Sequence, residues 1–272
     1  MKASTVAALN RINRRFYDRY SDPFSATRSR PWSGWNRAIA PFLAQNPLGS
    51  PTRAAPAILD VGCGNGRFAV FLNSTSEGPY WYLGLDDSVE MLELARQRLR
   101  SMGSLEVHFE RHDVSGSEGD LDLGGRQFDL VVVVGVMHHI PGFRHRRDLL
   151  ESLAGSLAQG GMMILSFWQF GKEERFRRRV LNWSDFNAAS SEMVDEGNLE
   201  RGDYLLAWGN NEGVESKGED SLGPCRYCHY ADADEIARLT GALELRTVDR
   251  FAADGRTGDL NLYMVLRADS GA

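Results

Sequence analysis

Nowhere in this 272-residue chain does an apolar run approach the ~20 residues that a membrane-spanning helix needs. No membrane partner is therefore expected. The opening stretch, Met-Lys-Ala-Ser-Thr-Val-Ala-Ala-Leu-Asn, has too short an apolar core for a secretory signal. Cysteine is scarce. Three residues cannot build a disulfide framework, which points to a reducing, cytoplasmic setting. Excess positive charge is also missing, and a net charge of −6 argues against strong unaided electrostatic binding to nucleic acid. Three local basic clusters run against that balance: Arg11/Arg14/Arg15, Arg144/Arg146/Arg147 and Arg175/Arg177/Arg178/Arg179. Each reads equally well as a solvated helix face. The remaining composition, 42% hydrophobic and 25% charged, is that of a globular chain long enough for one large α/β domain.

The most informative stretch is Ala57–Gly66, Ala-Ile-Leu-Asp-Val-Gly-Cys-Gly-Asn-Gly. Ile58, Leu59 and Val61 read as a short buried strand. Gly62, Gly64 and Gly66 make a tight turn, and a helix begins at Arg67. A strand that enters a glycine turn and then a helix N-terminus is where open α/β sheets hold nucleotide-like ligands. The spacing departs from the dinucleotide fingerprint G-x-G-x-x-G: the third glycine comes one residue early, and Arg67 stands where Gly or Ala is wanted. Tyr80–Leu85 reads as a second strand ending at Asp86-Asp87, and Asp86 lies 20 residues beyond Gly66. An acid there accepts hydrogen bonds from ribose hydroxyls. Its bland role is to cap the helix starting at Ser88, so Asp86 is assigned to the ribose and Asp87 or Ser88 to the cap.

Along the rest of the chain, residues 3–20 read as an amphipathic helix, followed by a turn at Ser21-Asp22-Pro23. An irregular stretch leads into a second helix near Ser33–Gln45, and Pro47, Gly49 and Pro51 mark a linker. Residues 88–101 and 144–158 read as helices, the latter stopped by Gln159-Gly160-Gly161. Leu105–Glu110, Phe128–Val134 and Met162–Trp168 read as strands. Residues 171–224 are polar, glycine-rich and irregular, an insertion or lid. Arg226–Tyr230 reads as a strand and Asp232–Thr240 as a helix, and Leu243–Phe251 with Asn261–Arg267 as a final antiparallel pair.

The D-x-G-x-G-x-G form resembles motif I of class I S-adenosylmethionine (SAM) methyltransferases. That resemblance implies a doubly wound, Rossmann-like, seven-stranded α/β sheet with helices on both faces and the final strand antiparallel. It implies a single domain over 1–272 with an N-terminal helical cap over 1–50 and the lid at 171–224. The implied cofactor is SAM, held by Asp60, Gly62, Gly64, Gly66, Asp86, Asp87, Asp113, Val114 and Val134. Leu157-Ala158-Gln159-Gly160-Gly161 resembles the family's L-x-P-G-G turn, with Gln where Pro is usual.

Further blocks narrow the resemblance. Phe24-Ser-Ala-Thr-Arg28, Val-Met-His138-His139-Ile, Gly202-Asp203-Tyr204-Leu-Leu-Ala-Trp208 and Arg226-Tyr227-Cys228-His229 resemble the tRNA wobble-uridine carboxymethyl methyltransferases. This implies esterification of 5-carboxymethyluridine in a tRNA anticodon loop, with a small zinc-binding activator subunit as a partner. It assigns Arg28, His138 and Asp203 to the catalytic pocket. The family's V-P-W is Leu206-Ala207-Trp208 here, its Arg-Tyr-Tyr-His is Arg226-Tyr227-Cys228-His229, and its late Asn-Trp is Asp259-Leu260-Asn261-Leu262. These departures bear on the substrate and leave the methyl transfer alone. Two other readings stay open: a small-molecule carboxyl or O-methyltransferase, and a non-catalytic SAM-fold binding module. Cys225-Arg-Tyr-Cys228-His229 formally matches a haem-attachment pattern, but it falls where the family has Arg-Tyr-Tyr-His, and no metal is expected.

Overall fold

In the computed structural model, residues 1–28, 30–46, 55–75, 79–100, 105–115, 121–209 and 222–269 are described. The expected linker at Pro47, Gly49 and Pro51 lies outside them. In chain order the strands are β1 (Ala57–Val61), β2 (Tyr80–Asp86), β3 (Leu105–Arg111), β4 (Phe128–Val133), β5 (Leu157–Trp168), β6 (Val180–Leu181), β7 (Asp203–Ala207), β8 (Cys225–His229), β9 (Leu245–Ala253) and β10 (Asn261–Ala268). The helices are α1 (Ala3–Ala26), α2 (Gly34–Gln45), α3 (Arg67–Thr75), α4 (Val89–Leu99), α5 (Phe143–Gly155), α6 (Glu174–Arg177), α7 (Trp183–Ala189) and α8 (Ala233–Gly241).

Seven strands form one sheet in the order β3-β2-β1-β4-β5-β10-β9. β1 to β5 run parallel, and β10, the last strand of the chain, runs antiparallel between β5 and β9. This is the expected doubly wound sheet. Alternation along each strand divides the core into two layers. Leu59, Val61, Val131, Val133 and Leu165 face α5 and α8, while Ile58, Leu130, Val132 and Ile164 face α2 and α3. The strand order reverses between β1 and β4, so a crevice opens at their carboxyl ends, as in other open α/β sheets.

Three local expectations need correction. First, α1 runs to Ala26 instead of stopping near Tyr20. The helix kinks at Tyr20 (φ −122°, ψ 18°) and restarts, so Pro23 sits in a first turn, where its missing N–H has no helical partner to lose. Second, α5 ends at Gly155, and Gln159-Gly160-Gly161 belongs to β5. Phe128 pairs with Leu157 but Leu130 with Met162, so the intervening residues bulge from the ladder with Gly160 at φ 72°. Third, the stretch expected to be an irregular lid carries structure: β6 and β7 lie within it and pair with β8, the strand expected at Arg226–Tyr230, in a separate three-stranded antiparallel sheet beside the crevice.

A buried ionic network holds this small sheet to the main body. The guanidinium of Arg146 on α5, 1% exposed, donates to Glu235 (2.8 Å), to Glu200 (2.5 Å) and to the Ile140 carbonyl (2.8 Å). His229 bridges Asp203 (2.7 Å) and Glu235 (2.9 Å), and the Tyr227 hydroxyl donates to Asp203 at 2.7 Å. Burial works against a charged His229 ring, but the bonds to Asp203 and Glu235 outweigh it and hold its pKa above the usual value. Removing one member of such a network strands the others in low dielectric. Arg146→Met is therefore expected to lower stability by about 3–5 kcal/mol, read from urea unfolding. A loss below about 1 kcal/mol would place the network among weak surface pairs.

Candidate active site

The crevice is a cavity of about 690 Å³, within the usual range for small-molecule and cofactor sites. Its floor is the glycine turn between β1 and α3. Gly62, Gly64 and Gly66 all take positive φ (66°, 54° and 71°), a region that side chains rarely enter. A Cβ at Gly62 would run into Val136, whereas one at Gly64 would meet nothing within 4 Å and would project into open space. The turn is tied to the next strand twice. Cys63 N–H donates to the Leu85 carbonyl at 2.9 Å, and Gly64 N–H donates to Asp86 at 2.8 Å.

Asp86 also accepts the Ser88 N–H at 3.0 Å, while Ser88 itself caps α4 by accepting from Met91. Burial pushes the Asp86 carboxyl up to about 6, partly offset by these two N–H bonds. Asp60 is buried beneath the turn and accepts the Tyr82 hydroxyl, and burial pushes it up to about 7. Asp87 does not cap the helix: it is held by Arg14 (2.5 Å) and Arg111 (3.0 Å). Arg14 reaches Asp113 as well (2.6 Å), so this one side chain of α1 staples the carboxyl ends of β2 and β3. Asp60, Asp86, Asp87, Asp113, Val114 and Val134 all line the cavity.

The opposite wall carries cations and rings. Arg28 lies over the Phe24 ring at 4.5 Å. Arg226 on β8 lies 5.3–5.4 Å from the rings of Phe16, Phe24 and Trp168. Among the described residues, neither guanidinium pairs with a carboxylate. Burial, and then the charge of Arg226, lower the Arg28 pKa.

The two histidines divide cleanly. His139 accepts from the Tyr17 hydroxyl (2.9 Å) and its other ring nitrogen donates to the Tyr227 carbonyl (3.1 Å). His138 packs edge-on to Trp168 (5.0 Å) and keeps a buried Nδ1 with no partner. Burial holds both rings neutral: His139 falls to about 3, and His138 falls well below its usual value.

Arg28 and His138 thus share the cavity, but Asp203 does not join them. It lines no part of the cavity, and its oxygens are taken by Tyr227, His229 and the Glu200 N–H (2.7 Å). Its catalytic assignment is corrected to a structural one. Arg67, Tyr17 and Arg226 also line the cavity without having been assigned to it. Arg226 lay within the quoted Arg-Tyr-Cys-His block and Arg67 within the departure from the dinucleotide spacing. Among the described residues, two clusters hold ligand-type atoms within 4.8 Å of one another, His138/His139/Cys228 and Glu200/Asp203/His229. Arg226 donates to Cys228 in the first, and Arg146 fills the second, so neither environment suits a cation.

Residues 59–163 match the family model described as a methyltransferase domain, and that span contains the glycine turn, Asp86 and both histidines. The chain carries a methyltransferase domain. The fold agrees. A SAM-dependent methyltransferase from Methanosarcina mazei superposes with TM-score 0.56 at 20% identity, covering 84% of this chain and 98% of its own. The magnesium protoporphyrin IX methyltransferase of Synechocystis, solved with bound SAH, gives TM-score 0.57 at 15% identity, covering 96% and 99%.

In sequence, a protein of Encephalitozoon cuniculi described only as a candidate methyltransferase is 29% identical over 94% of this chain and 95% of its own. The tRNA (carboxymethyluridine(34)-5-O)-methyltransferases of Schizosaccharomyces pombe and Xenopus tropicalis are 26% and 27% identical over 60% and 58% of this chain. The chain spans only 59% and 21% of the length of those two proteins.

The residues fit the cofactor. The open space above Gly64 accommodates it, and Asp86 offers lone pairs beyond its two N–H bonds. SAM carries its methyl on a sulfonium, already activated, so the protein has to orient an acceptor and keep water out. The neutral histidines and the aromatic wall do the latter. Asp86 accepts hydroxyls best as a carboxylate, and its pKa of about 6 sets where that form is lost. SAM affinity is expected to hold above pH 6 and to weaken below it, approaching about tenfold per pH unit. Asp86→Asn should bind SAM more weakly throughout and lose this acid limb. Calorimetric titrations from pH 7.5 to 5 check both points, and an acid limb surviving in the variant would assign the effect to another group.

Proposed function

We propose that this methyltransferase esterifies a carboxylate, and that the carboxylate is the 5-carboxymethyl group of a tRNA wobble uridine. The observation that carries the reading is the pair Arg28 and Arg226, two guanidiniums facing one cavity with no acid among the described residues to pair with them. A carboxylate answers both charges, and an arginine fork binds it through two parallel bonds. It is ionised at neutral pH and needs no general base to become a nucleophile. That agrees with two histidines held neutral by burial. His138 Nδ1, unpartnered beside the arginines, completes the orientation of the acceptor. A protonated amine would meet repulsion from the same wall.

Three observations support tRNA as the carrier. Relatives that act on carboxymethyluridine in tRNA cover more than half of this chain. Phe24, Tyr20 and Trp208 cluster at ring separations of 5.6–6.2 Å around Phe16 or Trp208 at the cavity wall, a surface on which an unstacked base can rest. Arg175 and Arg179 also line the cavity, as does Arg14, so parts of two basic clusters reach it. The proposal extends to a small zinc-binding activator, for which β3, an edge strand with unpaired backbone groups on its outer side, offers a pairing surface.

One observation favours a free metabolite carboxylate instead. Much of the basic surface is already spent. Arg11 is bound to Glu192, Arg146 is buried, and Arg144 and Arg147 pair with Asp148. The test is transfer of radiolabelled methyl from SAM to tRNA from cells that make 5-carboxymethyluridine but lack its methylase, with and without a candidate activator. Alkali-labile label in the wobble nucleoside is the expected result. Arg28→Gln and Arg226→Gln should each cut kcat/KM for the acceptor by about 10- to 100-fold while SAM affinity stays within about threefold. Absence of label from an enzyme that binds SAM would transfer the reading to a metabolite carboxylate.

A further inference from the structure

Arg67 is the first residue of α3, directly after the third glycine of the turn. Its guanidinium lies 5.0 Å from the rings of both Trp32 and Trp35 and donates to the Arg30 carbonyl at 3.0 Å. Trp32 in turn lies against the end of β4, where a Cβ on Gly135 would stand 3.2 Å from the indole. The cation thereby lines the same cavity as Gly64 and Asp86.

The charge has no anionic partner among the described residues. Asp254 and Asp60 feel its field from a distance, but Asp254 already accepts from the Ser33 hydroxyl, the Gly34 N–H, the Asn261 amide and the Tyr263 hydroxyl, and Asp60 accepts from the Tyr82 hydroxyl. Burial and the neighbouring Arg28 pull the Arg67 pKa down to about 10, so the group remains protonated at neutral pH. A guanidinium held between two indoles and lacking a counter-ion is a costly arrangement unless a ligand supplies the anion. The cofactor carries one anionic group, the α-carboxylate of its methionine part. An acid on the β2 side of the turn for the ribose hydroxyls, and a cation on the α3 side, give the cavity the polarity of that molecule.

We propose that Arg67 binds the α-carboxylate of SAM, which leaves Arg28 and Arg226 for the acceptor. The first half rests only on the use of SAM, and the second rests on the carboxylate-acceptor reading above. Both oxygens of the carboxylate suit the fork of donors that Arg30 leaves unused. Arg67 is then a positioning residue, which fixes how far the sulfonium reaches toward Arg28 and His138.

The experiment measures equilibrium binding of SAM and of decarboxylated SAM, with no acceptor present. The two ligands share adenosine and sulfonium, so their affinity ratio isolates the carboxylate. The intact enzyme is expected to favour SAM by about tenfold or more, the usual worth of a charge-assisted pair. Arg67→Gln should bring the ratio to within about twofold, while Arg28→Gln and Arg226→Gln leave it as in the wild type. Arg67→Lys keeps the charge but not the fork and should lose part of the ratio, which keeps the test available should glutamine cost the fold. Equal weakening of both ligands in Arg67→Gln, an undiminished ratio in Arg67→Lys, or collapse of the ratio in Arg28→Gln would each overturn the assignment. Failure of methyl transfer to tRNA leaves these ratios untouched, so the two readings fail separately.

Discussion

One carboxylate organises the cofactor side of this enzyme. Asp86, the last residue of β2, receives the N–H of Gly64 from the turn before α3 and the N–H of Ser88 at the start of α4. Two helices and two strands meet at that group. The turn is held open because its backbone is anchored at Gly64, while the bulk on either side is kept away by the absence of side chains at Gly62 and Gly64. Burial raises the pKa of the same carboxylate, so the group that shapes the turn also carries a titration close to neutrality.

Charge is arranged across the cavity by sign. Asp60, Asp86, Asp87 and Asp113 stand along the strand ends of β1 to β3, Arg28 and Arg226 stand on the facing wall, and Arg67 stands at the start of α3. Arg14 crosses between the two and neutralises the outer acids. The inner groups remain unneutralised by the protein itself. A zwitterionic sulfonium cofactor and an anionic acceptor complement that pattern, and low dielectric strengthens each pairing relative to water. The two neutral histidines add hydrogen-bonding capacity without further positive charge.

Much of the sheet was legible because its signals are local. Continuous apolar runs marked β1, β2 and β4, and glycines marked the turn, and these elements fall within a residue or two of where patterning puts them. The bulge around Gly160 was not legible, since a Gln-Gly-Gly sequence serves a helix stop and a strand irregularity equally well. Two strands of the small sheet escaped for a similar reason, while β8 was legible: β6 has two residues, and the polar, glycine-rich surroundings of β6 and β7 resemble a loop. Asp203 was misassigned because its partners, Tyr227 and His229, lie 24 and 26 residues away, and composition says nothing about which of several acids a fold will bury together. Arg28 and His138 were assigned through resemblance alone. Their meeting depends on α1 crossing the crevice, which no spacing rule contains.

The small sheet has its own packing. Phe186, Leu205 and Tyr227 pack with Leu9 and Ile12 of α1, and Phe170, Leu206 and Cys228 form a further cluster, both apart from the two layers of the main sheet. Hydrogen bonds from His139 to the Tyr227 carbonyl and from His229 to Glu235 join this packing to the main body. Two of the blocks in which this chain departs from the wobble-uridine pattern, Leu206-Ala207-Trp208 and Arg226-Tyr227-Cys228-His229, fall on β7 and β8 or directly after them. The two blocks are therefore held differently: Leu206 packs in a small cluster with Phe170 and Cys228, whereas Tyr227 and His229 are locked to the main body through Asp203 and Glu235, so a substitution at the first repacks a few side chains and one at the second breaks a buried ionic network.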